Sequence, residues 1–166
     1  MRNVQSVSGV SGYRDQLDRA RRFLGKVETT HDDLETMDDV EFQDMMWSFF
    51  QHCWHVKDWL HHDPKASSAQ KTAAIAAAHN SKLLMICQDL CNGTKHLQLN
   101  RPKSGAGAKH QRIEMTIIPG QGRYEIDCLL DDGHGNDMSG KQLARDCIAE
   151  WERILSSQGL ATVRLN

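Results

Sequence analysis

The clearest pattern of apolar and polar positions lies between residues 37 and 62. Apolar side chains recur there at steps of three and four, at Met46, Phe49, Cys53, Val56 and Leu60. Side chains at this spacing share one side of an α-helix, so the segment predicts a helix that buries this stripe. The Asp63-Pro64 pair ends the helix, because a residue before proline avoids helical geometry.

Three further segments carry helical patterns. A first helix is predicted over residues 13–27, and a third, which begins with an alanine-rich run, over residues 67–97. The last helix follows Ser139, which has capping-box spacing with Gln142. It ends near Gly159, where a Schellman stop is expected.

After residue 112 the apolar period changes to two, which is typical of strands. Ile113, Met115 and Ile117 alternate with polar residues, and the same alternation returns from Tyr124 to Leu130. A Pro-Gly-Gln-Gly turn separates the two runs. The pattern therefore predicts a β-hairpin at about 112–130.

Together these elements predict a mainly α (α+β) fold, a helical bundle of about four helices with a β-hairpin inserted before the last helix. We expect residues 1–11 to form a flexible N-terminus and residues 12–166 to form a single helical-bundle domain. A chain of 166 residues is long enough to bury a core without disulfides or a structural metal.

The composition favours a cytoplasmic protein that does not cross a membrane. No apolar run approaches the roughly 20 residues that span a bilayer. The five cysteines form an odd set without the dense spacing of secreted disulfide frameworks. We therefore expect them to be small core residues in a reducing compartment, and we expect no cofactor.

Charge is distributed unevenly along the chain, although the net charge is only -2. Residues 28–56 contain eight acidic residues and no Lys or Arg, whereas residues 90–113 contain no acid. The basic residues of the second stretch are Lys95, Arg101, Lys103, Lys109 and Arg112. They predict a local basic surface that attracts phosphate, with Arg101 as a candidate binding residue.

The string from Asp89 to His96 is the first candidate for chemistry. If it is helical, Asp89, Asn92 and His96 share one face. An amide, the Lys95 cation and an imidazole are groups that hold a phosphate and move protons near neutral pH. The alternative is a helix that ends at Asn92, with Lys95 in solvent and His96 packed against a neighbour.

The second candidate lies at the C-terminal end of the helix predicted over residues 37–62. Polar groups stand there beside two tryptophans, and the candidate residues are Trp54, His55, Lys57, Asp58 and His61. Asp58 can orient an imidazole of His61 or His62, and tryptophan is common in pockets and interfaces. The alternative is a wide buried face with an exposed histidine pair.

A metal site is not expected from the histidines. Six of them fall on two predicted helices, at His52, His55, His61, His62, His79 and His96. Helical bundles do build metal sites from facing side chains. No HExxH, ExxH or CxxC set completes such a site here, and Cys87 and Cys91 fit a core face better than a ligand pair.

The helix predicted over residues 37–62 carries more aromatic surface than one face can bury. Trp47, Phe50, Trp54 and Trp59 lie around several of its sides. Large apolar surface left over on a helix favours association between copies of the chain. We therefore predict a homodimer.

Two short strings give the sequence a family resemblance. Residues 53–59 read CWHVKDW and residues 92–96 read NGTKH, and together they resemble a family of small bacterial proteins with CWHxKDW and NGTKH strings. The helical order over about residues 13–160 also resembles the HEPN superfamily. That resemblance implies a helical bundle that often dimerises and, in many members, cleaves RNA without metal.

HEPN ribonucleases carry an arginine, four to six residues, and then a histidine. His96 matches that histidine, while Asp89, Leu90 and Cys91 stand where the arginine would be. The resemblance implies that His96 moves a proton of the ribose 2′-hydroxyl and that Lys95 stabilises the phosphorane charge. Asn92 would position the phosphate, and Asp58 or Asp89 would orient the imidazole.

Two functions remain open from the sequence. The first is a HEPN-like protein that binds RNA or a nucleotide phosphate and acts as a metal-independent endoribonuclease. The second is a noncatalytic module whose Trp/His/Lys pocket holds a small ligand or a protein partner, as in toxin-antitoxin or phage-defence systems. Catalysis needs His96 in an open cleft, whereas binding tolerates a fixed His96.

Overall fold

A computed structural model describes residues 12–29, 39–93, 107–118, 123–131 and 134–162. The helices are α1 (Tyr13–Thr29), α2 (Asp39–His62), α3 (Ser68–Asn80), α4 (Lys82–Gly93) and α5 (Gly140–Ser157). Between α4 and α5 the chain forms strands β1 (Gly107–Ile118), β2 (Arg123–Asp131) and β3 (Asp137–Ser139). The predicted helical bundle with a hairpin before the last helix is confirmed. The predicted flexible N-terminus at residues 1–11 lies outside the described residues.

Helix α2 is the centre of the bundle, because α1, α3, α4 and α5 all pack against it. Its predicted apolar stripe is confirmed, since each side chain of that stripe is at most 1% exposed, from Met46 to Leu60. Helix α1 runs antiparallel to α2. Its first residue, Tyr13, meets Asp63 beyond the end of α2, and Phe23 stacks on His52 with ring centroids 5.1 Å apart.

The single helix predicted over residues 67–97 is wrong, because the chain breaks at Ser81 into α3 and α4. Ser81 is extended, with φ -79° and ψ 122°, and its N–H bonds the carbonyl of Ala78. Its hydroxyl then accepts the N–H of Leu84 at 3.4 Å, and its carbonyl accepts the N–H of Met85 at 2.9 Å. One serine thus ends α3 and begins α4. The last four residues of the predicted helix, 94–97, lie outside the described part of the chain.

The strands form an antiparallel sheet in the order β1-β2-β3. Ile113 pairs with Cys128 and Met115 with Ile126, as in the predicted hairpin. Ile126, Cys128 and Leu130 are buried, so the predicted alternation holds in β2. The third strand was not predicted, because residues 131–137 have the composition of a Gly-rich turn and β3 has only three residues.

Both predicted ends of α5 are confirmed. The Ser139 hydroxyl accepts the N–H of Gln142 at 3.0 Å, as an N-cap does. At the other end Gly159 has φ +65°, which favours glycine, and the N–H of Leu160 bonds the carbonyl of Leu155 at 3.0 Å. The other half of the predicted capping box does not form, because the Gln142 side chain donates to Asp146 at 2.9 Å and does not accept the N–H of Ser139.

The aromatic residues that motivated a homodimer are packed inside the chain. Phe50 is fully buried, Trp54 is 4% exposed, and Trp47 and Trp59 pack against the core from its edge. Among the side chains that the structure describes, which exclude those of residues 107–118 and 123–125, Val40 is the one large apolar side chain that is exposed. The aromatic surface of α2 therefore no longer argues for association, and the homodimer remains a prediction.

None of the described helices has the length and apolar character to cross a membrane.

A contact between Gly12 and Asp63 joins the start of α1 to the end of α2. The Asp63 carboxylate is 1% exposed and accepts the N–H of Tyr13 at 3.2 Å and that of Lys65 at 2.8 Å. Gly12 has φ +89°, and a Cβ atom there would clash with the Asp63 carboxylate. The carboxylate therefore caps α1 from a position just beyond the end of α2, and only glycine fits beside it.

We predict that Gly12→Ala lowers the free energy of unfolding by about 2 kcal/mol or more, because it forces both an unfavourable φ and a clash with Asp63. Gly25→Ala is the matched control, since Gly25 lies inside α1 with no atom within 4 Å of the added Cβ. The control should stabilise the protein by about 0.5 to 1 kcal/mol. Urea denaturation measures both, and equal effects of the two substitutions would contradict the close contact.

Candidate functional site

The residues predicted to carry catalysis are only partly described. His96, Lys95 and Arg101 lie outside the described residues. Asn92 is half-buried in the last turn of α4, and Asp58 is exposed near the end of α2. The structure therefore tests the relation between Asn92 and Asp58.

Asn92 and Asp58 are not brought together. His79 packs on Trp54 with ring centroids 5.3 Å apart, and the Cys87 thiol bonds the Phe50 carbonyl at 3.5 Å. The chain from α3 to α4 thus runs antiparallel to α2. At 1.5 Å per residue, the helix lengths beyond the Cys87 contact separate Asn92 from Asp58 by roughly 20 Å along the axis.

Asp89 does not lie on an open face with Asn92, because its side chain is buried, with 2% exposure. The helical spacing of the two residues is as predicted, but α4 packs against α2, α3 and α5 and covers this side. Asp89 is therefore an interior carboxylate that makes its interactions within the fold.

Trp54 is a core side chain rather than a pocket wall. Its ring is 4% exposed and lies between His79 and Lys57, whose Nζ is 5.1 Å from the ring centroid. Lys57 also pairs with the Asp58 carboxylate at 2.5 Å. The predicted binding residues Trp54 and Lys57 thus belong to a packed edge of the bundle.

A groove of about 320 Å³ lies at the C-terminal end of α2. Its lining comes from Asp58, Trp59 and His62 of α2, from Gly12 and from residues 63–65. His61 contacts His62 edge to face, with ring centroids 4.8 Å apart. The predicted pocket of a tryptophan, an acid and a histidine is thus present in part. Asp58 and His62 line the groove, but the tryptophan that lines it is Trp59 and not Trp54.

Next to this groove, α1 and α2 place cationic and aromatic side chains along their shared seam. We call this the α1–α2 face and define it by Arg19, Arg22, His52, His55 and Trp59. The Arg19 guanidinium lies 4.8 Å from the centroid of the Trp59 ring, a cation–π contact. His52, His55, Trp59 and His62 follow one another at helical steps, so they share one side of α2.

His52 is held in a neutral form by its neighbours. The Gln16 amide donates to His52 Nδ1 at 3.1 Å and to the His52 carbonyl at 3.0 Å, so Nδ1 acts as an acceptor. Arg19 in turn donates to the Gln16 carbonyl oxygen at 3.4 Å, which favours this orientation of the amide. The pKa of His52 lies below its usual value because of burial first, and then because Arg19, His55 and Arg22 repel a proton on the ring.

Arg19 and Arg22 differ from Arg21 in the ion pairs that they form with described residues. Arg21, on the opposite side of α1, pairs with Asp18 at 2.8 Å and with Glu152 at 2.6 Å. Within the described ranges, no carboxylate forms an ion pair with Arg19 or Arg22. The α1–α2 face thus combines two guanidinium groups, neither of which pairs with a described carboxylate, with a half-buried tryptophan. This combination suits an anion that carries a planar ring.

Sequence reasoning placed His55 in a binding region but missed the other four residues of this face as a group. Arg19 and Arg22 have helical spacing in α1, and His52, His55 and Trp59 have it in α2. These two patterns were available separately. Neither pattern shows that the two sets of side chains lie next to each other, because that depends on which sides of α1 and α2 pack together.

Comparisons with protein-family models, with curated proteins and with solved structures find no match for this chain. The likeness to HEPN proteins therefore stays a prediction from the sequence, and the site has to be interpreted from its own geometry.

We predict that His52 makes the protein less stable in mild acid. Its folded pKa is lowered from 6.5, so the unfolded chain binds the proton more readily. The stability linked to His52 is then complete above about pH 6.5 and is lost as the pH falls from there through the folded pKa. The measurement is urea denaturation at about pH 7.5 and about pH 5.5, on either side of that reference pKa.

The comparison that isolates this effect is His52→Gln, which removes the titrating group. The loss of unfolding free energy between the two pH values should be smaller in the variant than in the wild type. An equal loss in both proteins would show that His52 does not carry this part of the pH dependence.

Proposed function

We propose that this chain binds single-stranded RNA through the α1–α2 face. The observation that carries the proposal is the Arg19 guanidinium on the Trp59 ring, beside Arg22 and two histidines, without a carboxylate partner for either arginine in the described residues. Arginine binds phosphate through paired N–H groups, and tryptophan stacks on bases of any sequence.

Repulsion among the cationic groups also favours an anionic ligand. The two arginines already lower the pKa of His52, which means that positive charges are held close together in the folded protein. A phosphate placed among them replaces this repulsion by attraction and by charge-assisted hydrogen bonds. The ligand then stabilises an arrangement that is unfavourable by itself.

The groove beside the face provides room for a nucleotide next to the phosphate contacts. Its volume of about 320 Å³ lies in the lower part of the range for small-ligand sites, and Trp59 belongs to both the groove and the face. His62 and Lys65 also line the groove. A strand that passes along this seam would place a phosphate near Arg19 and a base over Trp59 or in the groove.

RNA cleavage is a separate step that the resemblance to HEPN ribonucleases implies. It would depend on His96 and Lys95, and the proposal made from the α1–α2 face is binding. Cleavage of RNA in EDTA by the wild-type protein, lost in His96→Ala, would add the enzymatic step. A partner protein that competes with RNA for this face would favour the noncatalytic alternative.

We predict that Arg19→Ala and Arg22→Ala each lower the affinity for a short single-stranded RNA about tenfold, or about 1.4 kcal/mol. The slope of log affinity against log salt should become shallower by about 0.7 for each phosphate that the variant no longer binds. Fluorescence anisotropy at several salt concentrations measures both quantities.

Arg153→Ala is the matched control for charge. Arg153 is exposed on α5 and pairs with Glu150 at 2.8 Å, so its removal changes the net charge equally without touching the α1–α2 face. Its RNA affinity should stay close to that of the wild type. A reduction as large as that of Arg19→Ala would mean that overall charge, and not this face, governs binding.

We predict that Trp59→Leu weakens RNA binding by about 1 to 3 kcal/mol because base stacking is removed, and leaves the affinity for inorganic polyphosphate nearly unchanged. Trp47→Leu is the control, since Trp47 packs on Phe50 in the other half of α2, with ring centroids 6.2 Å apart. Competition anisotropy with polyphosphate separates the two contributions. Equal reductions for RNA and polyphosphate would contradict stacking on Trp59.

A further inference from the structure

Three cysteines from three helices meet in the core, on a side of α2 other than the one that forms the α1–α2 face. Cys53 lies on α2, Cys87 on α4 and Cys147 on α5, and all three sulfur atoms lie within 4.8 Å of one another. Each of the three residues has no exposed surface. They are far apart in the sequence, so only the packing of α2, α4 and α5 brings them together.

Two of the three thiols lie beside backbone carbonyl groups. The Cys87 thiol lies 3.5 Å from the Phe50 carbonyl oxygen, and the Cys147 thiol lies 3.7 Å from that of Leu83. The indole N–H of Trp151 donates to the Cys53 carbonyl at 3.0 Å and fixes α5 against α2 beside the cluster. The sulfur atoms are therefore held by rigid helices and not by loops.

Burial acts to raise the pKa of all three thiols. Burial raises the pKa of Cys87, and hydrogen bonding with Cys147 and Cys53 adds to the effect. Hydrogen bonding with Cys53 raises the pKa of Cys147, and burial raises it further. Burial also acts to raise the pKa of Cys53, while hydrogen bonds from Cys147 and Cys87 to its sulfur act to lower it.

We propose that Cys53, Cys87 and Cys147 form a trigonal site for one soft d¹⁰ metal ion of the Cu(I) type, which joins α2, α4 and α5. Soft sulfur ligands select Cu(I), zinc and related ions. Structural zinc sites are nearly always four-coordinate, and among the described residues no fourth His, Cys or carboxylate joins this group. Three sulfur ligands therefore fit a three-coordinate ion better than zinc.

Binding exchanges S–H bonds for metal–sulfur bonds. Two thiols release their protons to solvent, and the third sulfur coordinates as a neutral thiol. One Cu(I) with two thiolates and one thiol carries a single negative charge, which limits the cost of charge in an apolar core. No oxidant or reductant is consumed, because the ion enters and remains as Cu(I).

Complete burial determines how the ion would enter. With no exposed surface at any of the three residues, the ligands are accessible when the helices are still separate. Metal binding then contributes to folding, as in other structural metal sites. This inference differs from the sequence expectation of plain core cysteines and is independent of RNA binding at the α1–α2 face.

The test is to unfold the reduced protein and refold it without oxygen in the presence of Cu(I) or of zinc. Metal content is then measured after passage over a chelating resin. We expect one Cu(I) per chain after refolding, little uptake when Cu(I) is added to the folded protein, and a higher unfolding free energy for the loaded protein. Recovery of folded protein that holds no metal after refolding with Cu(I) would overturn the proposal, and retention of zinc in place of Cu(I) would overturn the trigonal assignment.

Alanine variants locate the ion. Cys53→Ala, Cys87→Ala and Cys147→Ala should each lose the bound Cu(I), whereas Cys91→Ala and Cys128→Ala should retain it, since these buried cysteines lie outside the cluster. Loss of metal in the control variants to the same extent would overturn the assignment. X-ray absorption of the loaded wild-type protein needs no variant, and it should show three sulfur neighbours; nitrogen or oxygen neighbours instead would contradict the site.

Discussion

The antiparallel packing of α1 against α2 is the constraint on which the candidate site depends. The buried Asp63 carboxylate fixes one end of this pair by capping α1, and Gly12 leaves room for it. Further along, Gln16 bonds both the ring and the carbonyl of His52. These polar contacts set the rotation of α1 on α2. They therefore decide which arginines face the histidines and which point toward α5.

Because of this rotation, two arginines of α1 have different surroundings. Arg21 turns toward α5 and is neutralised by Asp18 and Glu152, so it contributes to the packing of α1 on α5. Arg19 turns toward α2 and lies on Trp59, where its charge acts on His52. The same helix thus stabilises the fold on one side and gathers positive charge on the other. The cysteine cluster, joined to α4 and α5, lies within the core of the bundle.

Sequence patterns predict secondary structure correctly where the residues that form the pattern lie close together in the chain. The apolar stripe of α2 and the Ser139 cap both depend on residues a few positions apart, and both are confirmed. The break at Ser81 was missed, because a serine after an alanine-rich run is also compatible with a continuous helix. The α1–α2 face was missed as a group for another reason: Arg19 and His52 come from separate helices, and their proximity is a property of tertiary packing.

The most direct test of RNA binding at the α1–α2 face is an NMR titration of the His52 ring in the free protein and in the protein saturated with a short single-stranded RNA. We expect RNA to raise the pKa of His52, because a phosphate near Arg19 and Arg22 offsets the repulsion that lowers it in the free protein. An unchanged His52 pKa in the RNA-bound protein would contradict binding at this face, since the phosphates would then lie elsewhere on the molecule.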